Sequence, residues 1–167
     1  MVRVARDGGA ALLPAVERDA ARAFRAVGMA VLAEAEPAPP AAWEEAVAAG
    51  HAWVAVDPEG EILGFAVAGV VGGRAHLREI SVRTGAARRG IGRSLMRCFL
   101  DWAKGSGFQE ASLTTFLHLP FNAPFYRRLG FREMPERVMG EELRTLRRSE
   151  ARLDRLGKRV AMVLRLA

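Results

Sequence analysis

The sequence has little that could build a disulfide framework, a metal site or a membrane span. Cys98 is the only cysteine among 167 residues, so the chain has no internal disulfide and no CxxC motif. The three histidines lie far apart without HxxxH spacing, which argues against structural zinc. The longest strongly apolar run, residues 62–73, is well short of the roughly 20 residues that span a bilayer. The N-terminus lacks an apolar signal segment, so we expect a cytoplasmic protein without metal or membrane contact.

The composition that remains is typical of a globular protein. Hydrophobic residues make up 50% of the chain and charged residues 26%, and the length suits a single domain over residues 1–167. Lys and Arg together number 25 against 19 acidic residues, a net charge of +6. An excess this small indicates a solvated basic face rather than a nucleic-acid-binding surface.

Hydrophobic periodicity and turn residues predict an alternating order of strands and helices. A strand–helix–strand unit over residues 75–116 implies parallel pairing, whereas the short turns elsewhere imply antiparallel hairpins. We therefore predict an α/β fold with a mixed, mostly antiparallel sheet of about seven strands and helices on both faces. Strands are predicted at 2–6, 51–56, 62–71, 75–82, 110–116, 131–134 and 160–166, helices at 12–27, 41–49, 90–104 and 122–129, and a partly helical segment at 136–156.

The most informative segment is a glycine-rich turn between the fourth predicted strand and the next helix. Glycine lets the backbone approach a ligand closely, and the first N–H groups of a helix lack acceptors within it, so they form an anion site. The segment matches neither the GxxxxGK(S/T) loop nor the GxGxxG motif. It predicts phosphate binding, and an arginine-rich turn without a ligand is the alternative. Its residues are Arg88, Arg89, Gly90, Ile91, Gly92, Arg93 and Ser94.

A second element places a polar residue and an aromatic residue four positions apart on a short helix. Asn122 and Tyr126 share one helix face and are followed by Gly130-Phe131. Taken singly, Asn122 is explained as a helix N-cap. Tyr126 is explained as a half-buried core aromatic with a solvated hydroxyl.

Together, the strand over 76–82, the glycine turn and the Asn-x-x-x-Tyr-x-x-x-Gly-Phe run resemble the GNAT superfamily of acetyl-CoA-dependent N-acetyltransferases. The two motifs occur in the family's order, and the likeness is strongest over residues 53–131. The chain departs from the family pattern (Gln/Arg)-x-x-Gly-x-(Gly/Ala) at its first position, which is Ala87, and has Thr84 where proline is frequent. This puts one side-chain contact to phosphate in doubt, and Arg88 or Arg89 could substitute for it.

The resemblance implies direct transfer of an acetyl group from acetyl-CoA to a primary amine of a small molecule, in a ternary complex. Strands 75–82 and 110–116 are expected to splay, with the pantetheine arm bonded to the backbone of Ile80, Ser81 and Val82. The pyrophosphate is expected on the amides from Arg88 to Ser94. Asn122 is expected to contact the arm, and Tyr126 to donate a proton to the departing thiolate.

Glu79 is the candidate base, because a carboxylate is unexpected in a buried strand. A partly buried Glu has a raised pKa and can take the proton of an alkylammonium, directly or through water. The alternative is a structural ion pair of Glu79 with Arg74, Arg78 or Arg83 on an exposed strand face. His76 and His118 are weaker candidates, and Cys98 is read as a core residue, because the family transfers the acetyl group without an acyl-enzyme.

The amine acceptor is the least determined part of the prediction. Glu34, Glu36, Glu44 and Glu45 would suit a cationic amine, although two amphipathic helices with solvated acids explain them better. A protein or peptide amine remains an alternative acceptor, as does a non-catalytic CoA-binding or nucleic-acid-binding module, and a homodimer is left open. The residues expected at the acceptor wall are Phe24, Met29, Trp43, His118 and Phe121.

Overall fold

The computed structural model describes all 167 residues, Met1–Ala167. The strands are β1 Val2–Val4, β2 Ala52–Val56, β3 Ile62–Val71, β4 Arg74–Val82, β5 Glu110–Phe116, β6 Arg132–Glu133 and β7 Arg159–Arg165. The α-helices are α1 Leu13–Ala21, α2 Ala30–Ala33, α3 Ala41–Ala48, α4 Ile91–Gly105, α5 Ala123–Arg128 and α6 Glu141–Ser149. None of these helices combines the length and the apolar character needed to cross a bilayer.

The seven strands form one sheet in the order β1-β2-β3-β4-β5-β7-β6. The pairs β1–β2, β2–β3, β5–β7 and β6–β7 are antiparallel. β4 and β5 are parallel, with Ala75 opposite Ala111 and His76 opposite Ser112. Both paired positions lie near the start of each strand. The predicted α/β fold with a mixed seven-stranded sheet is therefore confirmed.

Two differences from the predicted elements concern the helices near the N-terminus. The expected helix over 12–27 is α1 with 3-10 helices on either side, Gly9–Leu12 and Arg22–Val27. Periodicity cannot separate the two helix types well, because both place residues three positions apart on one face. The four-residue helix α2 was missed, since so short a helix shows no periodic pattern.

The chain divides into two compact units. The first comprises Met1–Gly69 and Leu77–Trp102, and the second comprises Val70–His76 and Ala103–Ala167. The expectation of a single domain stays a prediction.

In the first unit, α1 and α3 cover one face of the β2–β3 hairpin. Leu13 and Val16, three positions apart on α1, are fully buried, and Trp43 joins them from α3. The hairpin contributes Phe65 and Val67, also fully buried. This apolar stripe is the amphipathic pattern that the sequence shows. It holds the first helices against the strands that precede the glycine turn.

In the second unit, the segment between β6 and β7 forms a small core of its own. Leu143 of α6 packs with Met134, Met139 and Ala161. The first turn of α6 carries acidic residues and its last turn carries Arg147 and basic neighbours, which complements the helix dipole. The sequence expectation of a partly helical segment over 136–156 is thereby confirmed.

In the first unit, the start of α4 approaches β3 at Gly64. A Cβ atom at Gly64 would lie 2.8 Å from the carbonyl oxygen of Ser81 and 3.2 Å from side-chain carbons of Ile91 and Val82. The Ser81 oxygen belongs to the backbone, so it cannot move aside as the end of a flexible side chain can. Gly64 therefore sets how closely the N-terminal turn of α4 lies against the sheet.

We predict that Gly64→Ala destabilises the protein by about 1–3 kcal/mol, the usual cost of overpacking, measured by urea unfolding. Gly105→Ala is the matched control, because nothing lies within 4 Å of the added Cβ at that position. The control should leave stability unchanged or slightly raised, since alanine favours helix. Equal effects of the two substitutions would contradict the close approach at Gly64.

Candidate functional site

The glycine turn connects β4 to α4 through a short, strained loop. A 3-10 turn over Thr84–Ala86 follows β4, and α4 begins at Ile91. Arg88 has φ +63° and Gly90 has φ +79°. Arg88 is the only residue other than glycine with positive φ, a conformation that costs a side-chain-bearing residue on the order of 1 kcal/mol. Such strain is commonly retained where a backbone must meet a ligand.

The first turn of α4 presents N–H groups without acceptors inside the helix. The first intrahelical bond there runs from the N–H of Ser94 to the carbonyl of Gly90, at 3.0 Å. The N–H groups of the three preceding residues, Ile91 to Arg93, lie in the helix before that bond. Arg88, Arg89 and Arg93 are all exposed around this turn. Unpaired amides, a helix dipole and three guanidinium groups together form an anion-binding arrangement.

Three of the predicted cofactor-binding residues also line a cavity in the first unit. This cavity has a volume of about 320 Å³, and Arg89, Ile91 and Ser94 form the part of its wall that comes from the glycine turn and α4. Val56 and Asp57, from the end of β2, are on the same wall. A larger and more open depression, beside Gly72 and α6, contains none of the predicted site residues.

Asp19 of α1 anchors the beginning of the loop, a role that sequence reasoning missed. Its Oδ1 accepts hydrogen bonds from the N–H of Thr84 at 2.8 Å and from the Thr84 hydroxyl at 3.0 Å. Its Oδ2 lies 3.7 Å from Arg22 and 3.8 Å from Arg83. No local sequence pattern indicates a hydrogen-bond partner that is 65 positions away.

The same contacts determine the ionisation of Asp19. Burial opposes its charged form, but the two hydrogen bonds from Thr84 and the charges of Arg22 and Arg83 outweigh burial, so its pKa lies below 3.8. A lowered pKa in the folded state stabilises the fold above the unfolded-state pKa. That contribution is lost as the pH falls through the folded-state pKa.

Glu79 is half-buried on β4, with its carboxylate held by the residues that follow it. Oε1 of Glu79 accepts hydrogen bonds from the N–H of Ile80 at 3.1 Å and from the hydroxyl of Ser81 at 3.0 Å. Ser81 itself is buried. These donors orient the carboxylate.

The three arginines that could have neutralised Glu79 have other interactions. Arg74 donates to Glu110 at 2.7 Å. Arg78 lies over the ring of Trp43, with its guanidinium carbon 5.0 Å from the ring centroid. Arg83 donates to the carbonyl of Ile62 at 2.8 Å and lies near Asp19. The ion-pair alternative for Glu79 stays open beside its role as the base.

Asn122 occupies the N-cap position of α5, but its side chain does not cap the helix. Its Oδ1 atom is buried without a hydrogen-bond partner. A buried oxygen left unpaired costs free energy of roughly 1–3 kcal/mol, so its retention needs another explanation. An N–H donor from a ligand would satisfy it.

Tyr126 is 4% exposed and belongs to α5 in the second unit. Its ring packs edge-on against Phe125, with centroids 5.2 Å apart, and against Phe131, at 6.0 Å. The chain turns sharply after it, because Gly130 has φ +98° and the N–H of Phe131 bonds to the Tyr126 carbonyl at 3.1 Å. The motif's Gly-Phe thus fixes the Tyr126 ring.

The residues expected at the acceptor wall have unequal exposure. Trp43 is buried in the core of the first unit, with its indole N–H buried and unpartnered. Phe24 and Met29 are half-buried in the same unit. In the second unit, His118 and Phe121 are exposed. Their assignment to the acceptor stays a prediction.

Two of the acids expected to favour a cationic acceptor are in ion pairs. Glu34 lies 3.3 Å from Arg25, and Glu36 lies 3.0 Å from Arg18. All four side chains are well exposed, so these pairs contribute little to stability. They do reduce the negative charge that this segment offers to an amine.

The remaining nucleophile and base candidates differ in their burial and contacts. His76 is buried, with its Nδ1 2.8 Å from the Ser112 hydroxyl, whereas His118 is exposed. Cys98 is half-buried, and burial, followed by the charge of Asp101, raises the pKa of its thiol. A thiol with a raised pKa is a poor nucleophile near neutral pH. No group of three or more His, Cys, Asp or Glu side chains is placed to hold a metal ion.

Comparison with known proteins gives a consistent result. The sequence matches the model of the Acetyltransferase (GNAT) family over residues 10–131. A Mycobacterium tuberculosis protein, crystallised in complex with CoA, has a TM-score of 0.72 and 20% sequence identity, covering 100% of this chain and 99% of its own. The ribosomal-protein-S18-alanine N-acetyltransferase of Escherichia coli has a TM-score of 0.67 and 17% identity, covering 100% of this chain and 94% of its own. At these identities the two structures show a shared fold.

A third structure is somewhat more similar in sequence. A GNAT family acetyltransferase from Brucella melitensis, in complex with acetyl-CoA, has 26% identity and a TM-score of 0.57, covering 79% of this chain and 82% of its own.

Proposed function

Because the chain belongs to the acetyltransferase (GNAT) family, we propose that it transfers the acetyl group of acetyl-CoA directly to a primary amine of a small molecule. The observation that carries the proposal is the loop before α4. Its unpaired helix amides are surrounded by three exposed arginines, and its backbone has positive φ at Arg88 and Gly90. This is the arrangement that a pyrophosphate requires.

The residues present fit acetyl-CoA at two separate positions. The amides from Arg88 to Ser94 would hold the pyrophosphate, with Arg88 or Arg89 taking the place of the side chain that Ala87 lacks. The buried, unpaired Oδ1 of Asn122 would accept an N–H of the pantetheine arm. For the backbone of Ile80, Ser81 and Val82, taken by itself, the proposed role is to hydrogen-bond pantetheine.

The transfer forms a C–N bond and breaks the C–S bond of the thioester. Acetyl-CoA supplies the activated carbonyl carbon. Glu79 takes a proton from the acceptor ammonium, directly or through water, so that the nitrogen has a free electron pair. The hydroxyl of Tyr126 gives a proton to the departing thiolate of CoA. The nitrogen loses a second proton as the amide forms, and this proton returns to the Tyr126 oxygen and restores the hydroxyl. Each role is proposed for the residue by itself, from its chemistry and its position in the family motif.

The acceptor is proposed as a small molecule with a primary amine, in the cytoplasm. A protein or peptide amine remains the alternative. The two are separated by measuring thiol release from acetyl-CoA with a panel of small amines and with peptides that have a free N-terminal amine. Turnover of peptides alone would overturn the small-molecule assignment. Absence of thiol release with every amine, together with tight duplex binding at physiological salt, would favour a nucleic-acid-binding module.

Gly92→Glu is predicted to weaken acetyl-CoA binding at least tenfold, about 1.4 kcal/mol. The new carboxylate would lie in the first turn of α4, where it would repel phosphate. Calorimetry with acetyl-CoA measures the effect. Gly105→Glu, at the other end of the same helix and with open space around it, is the control and should bind as the wild type does. Unchanged affinity in a folded Gly92→Glu protein would remove this site.

Tyr126→Phe is predicted to lower kcat by roughly 10²–10⁴ with little change in acetyl-CoA affinity, because the ring packing is kept and only the proton donor is lost. Pre-steady-state measurements must first show that product release does not limit kcat. Tyr126 is the only tyrosine, so tyrosinate absorbance in the wild type reports the ionisation of this side chain alone. A fall in kcat of less than about threefold would make Tyr126 a packing residue.

Glu79→Gln is predicted to flatten the acidic limb of kcat/KM, because an amide keeps the size of the side chain but takes no proton. The rate at neutral pH should fall as well. The acceptor's own ionisation is the competing cause of such a limb, and an acceptor of lower amine pKa would then shift the limb in wild type and variant alike. A variant with the wild-type pH profile would leave Glu79 with a structural role only.

A further inference from the structure

We propose that Asp19 is a positioning residue that orders the CoA-binding loop through Thr84. The proposal rests on the proposed function, because it assumes that the loop binds CoA. Asp19 and Thr84 are 65 positions apart in sequence, and two hydrogen bonds join them. Asp19 accepts hydrogen bonds from Thr84 and lies near Arg22 and Arg83, so we expect its effect to be exerted through the loop.

The geometry of the first unit shows what this tether does. Arg83 is fixed to β3, since its N–H bonds to the carbonyl of Leu63 at 2.8 Å and its Nε to that of Ile62 at 2.8 Å. Thr84 is then fixed to α1 by Asp19. At the far end, α4 is held against β3 through the close approach of Ile91 to Gly64. The residues between these anchors carry the strained backbone at Arg88, which a loosely held loop would relax.

The charge of Asp19 allows loop ordering to be distinguished from electrostatic repulsion of phosphate. A carboxylate at the start of an anion-binding loop repels phosphate, and Asp19 is only partly neutralised by Arg22 and Arg83. If electrostatics alone mattered, removing the carboxylate would tighten CoA binding. If Asp19 orders the loop, removing the carboxylate should instead weaken CoA binding. A loop that spends less time in the binding-competent conformation has an affinity reduced in proportion to the time it spends there.

The backbone at this point also permits a different way to order the loop. Arg83 has φ −52° and ψ 143°, and Thr84 is the first residue of the 3-10 turn. Proline suits the first position of a helical turn, and the residue before proline prefers this extended ψ. In the wild type, proline at 84 would remove the N–H bond to Asp19. In an Asp19→Ala background that bond is already absent, so proline only restricts the loop.

The control lies on the same helix. Oε2 of Glu17 accepts a hydrogen bond from the N–H of Ala38 at 3.2 Å, which ties another connecting segment to α1. Glu17→Ala therefore removes a comparable tether without touching the glycine turn. Asp19→Ala and Glu17→Ala are both expected to lower the melting temperature of the protein.

The experiment measures CoA affinity by calorimetry and amide hydrogen exchange over residues 84–90 without CoA. We expect Asp19→Ala to weaken CoA binding about fivefold, as when the competent fraction falls to roughly one fifth, and to speed exchange in the loop. Asp19→Ala/Thr84→Pro should bind within about twofold of the wild type. Glu17→Ala should leave both measurements unchanged. Tighter or equal CoA binding by Asp19→Ala, failure of the proline rescue, or an equal effect of Glu17→Ala would overturn the proposal.

Two further outcomes are separable. Thr84→Val removes only the hydroxyl bond at an exposed position, so it tests the tether even if Asp19→Ala does not fold, with about twofold weaker CoA binding expected. Wild-type affinity in Thr84→Val, with unchanged exchange, would count against the tether. A wild-type protein that does not bind CoA defeats the proposed function and this proposal together. If the wild-type protein binds CoA, and Gly92→Glu weakens this binding but Asp19→Ala does not, this proposal alone fails.

Discussion

The unpaired N–H groups in the first turn of α4 are the constraint around which the site is built. A helix that starts at the end of a strand exposes three or four donors that no residue of the helix can accept. Here Ser94 makes the first internal bond, to Gly90, and the donors before it face outward with the positive end of the helix dipole. Donors of this kind can form a site for an anion, and the loop that precedes them has positive φ at Arg88 and Gly90.

Holding that loop open requires contacts from elements distant in sequence. Gly64 on β3 lets the helix approach the sheet, Arg83 is bonded to β3, and Thr84 is bonded to Asp19 on α1. The positive φ of Arg88 is a local cost that these contacts offset together. On the proposal that Asp19 orders this loop, removing one anchor would lower stability and ligand affinity together.

Charge in this protein is arranged locally rather than as a uniform field. The net excess of +6 is small, yet three exposed arginines lie around one helix terminus. Elsewhere, acids and arginines pair with each other, as Glu34 does with Arg25 and Glu36 with Arg18. Two of the four acidic residues that suggested a cationic acceptor therefore have partners in the protein, and the acceptor has to be found by turnover.

The sequence alone determined most of the elements and the position of the glycine turn that is proposed to bind phosphate, because both depend on local chemistry. Apolar residues at helical spacing defined α4, and the glycines before it marked the turn. The resemblance to the family rests on the same short-range motifs. Sequence could not assign the 3-10 segments around α1, since periodicity does not separate the helix types.

Only the tertiary structure decided which residues have partners. Asn122 was best explained as a capping residue by its position, yet its oxygen is buried and unpaired. Arg78 was an available partner for Glu79 by proximity in sequence, yet it stacks on Trp43. Asp19 carried no signal at all and became the anchor of Thr84. The physical reason is the same in each case: a hydrogen bond or a stacked pair depends on which atoms folding brings within reach, and contacts between residues far apart in sequence leave no local pattern.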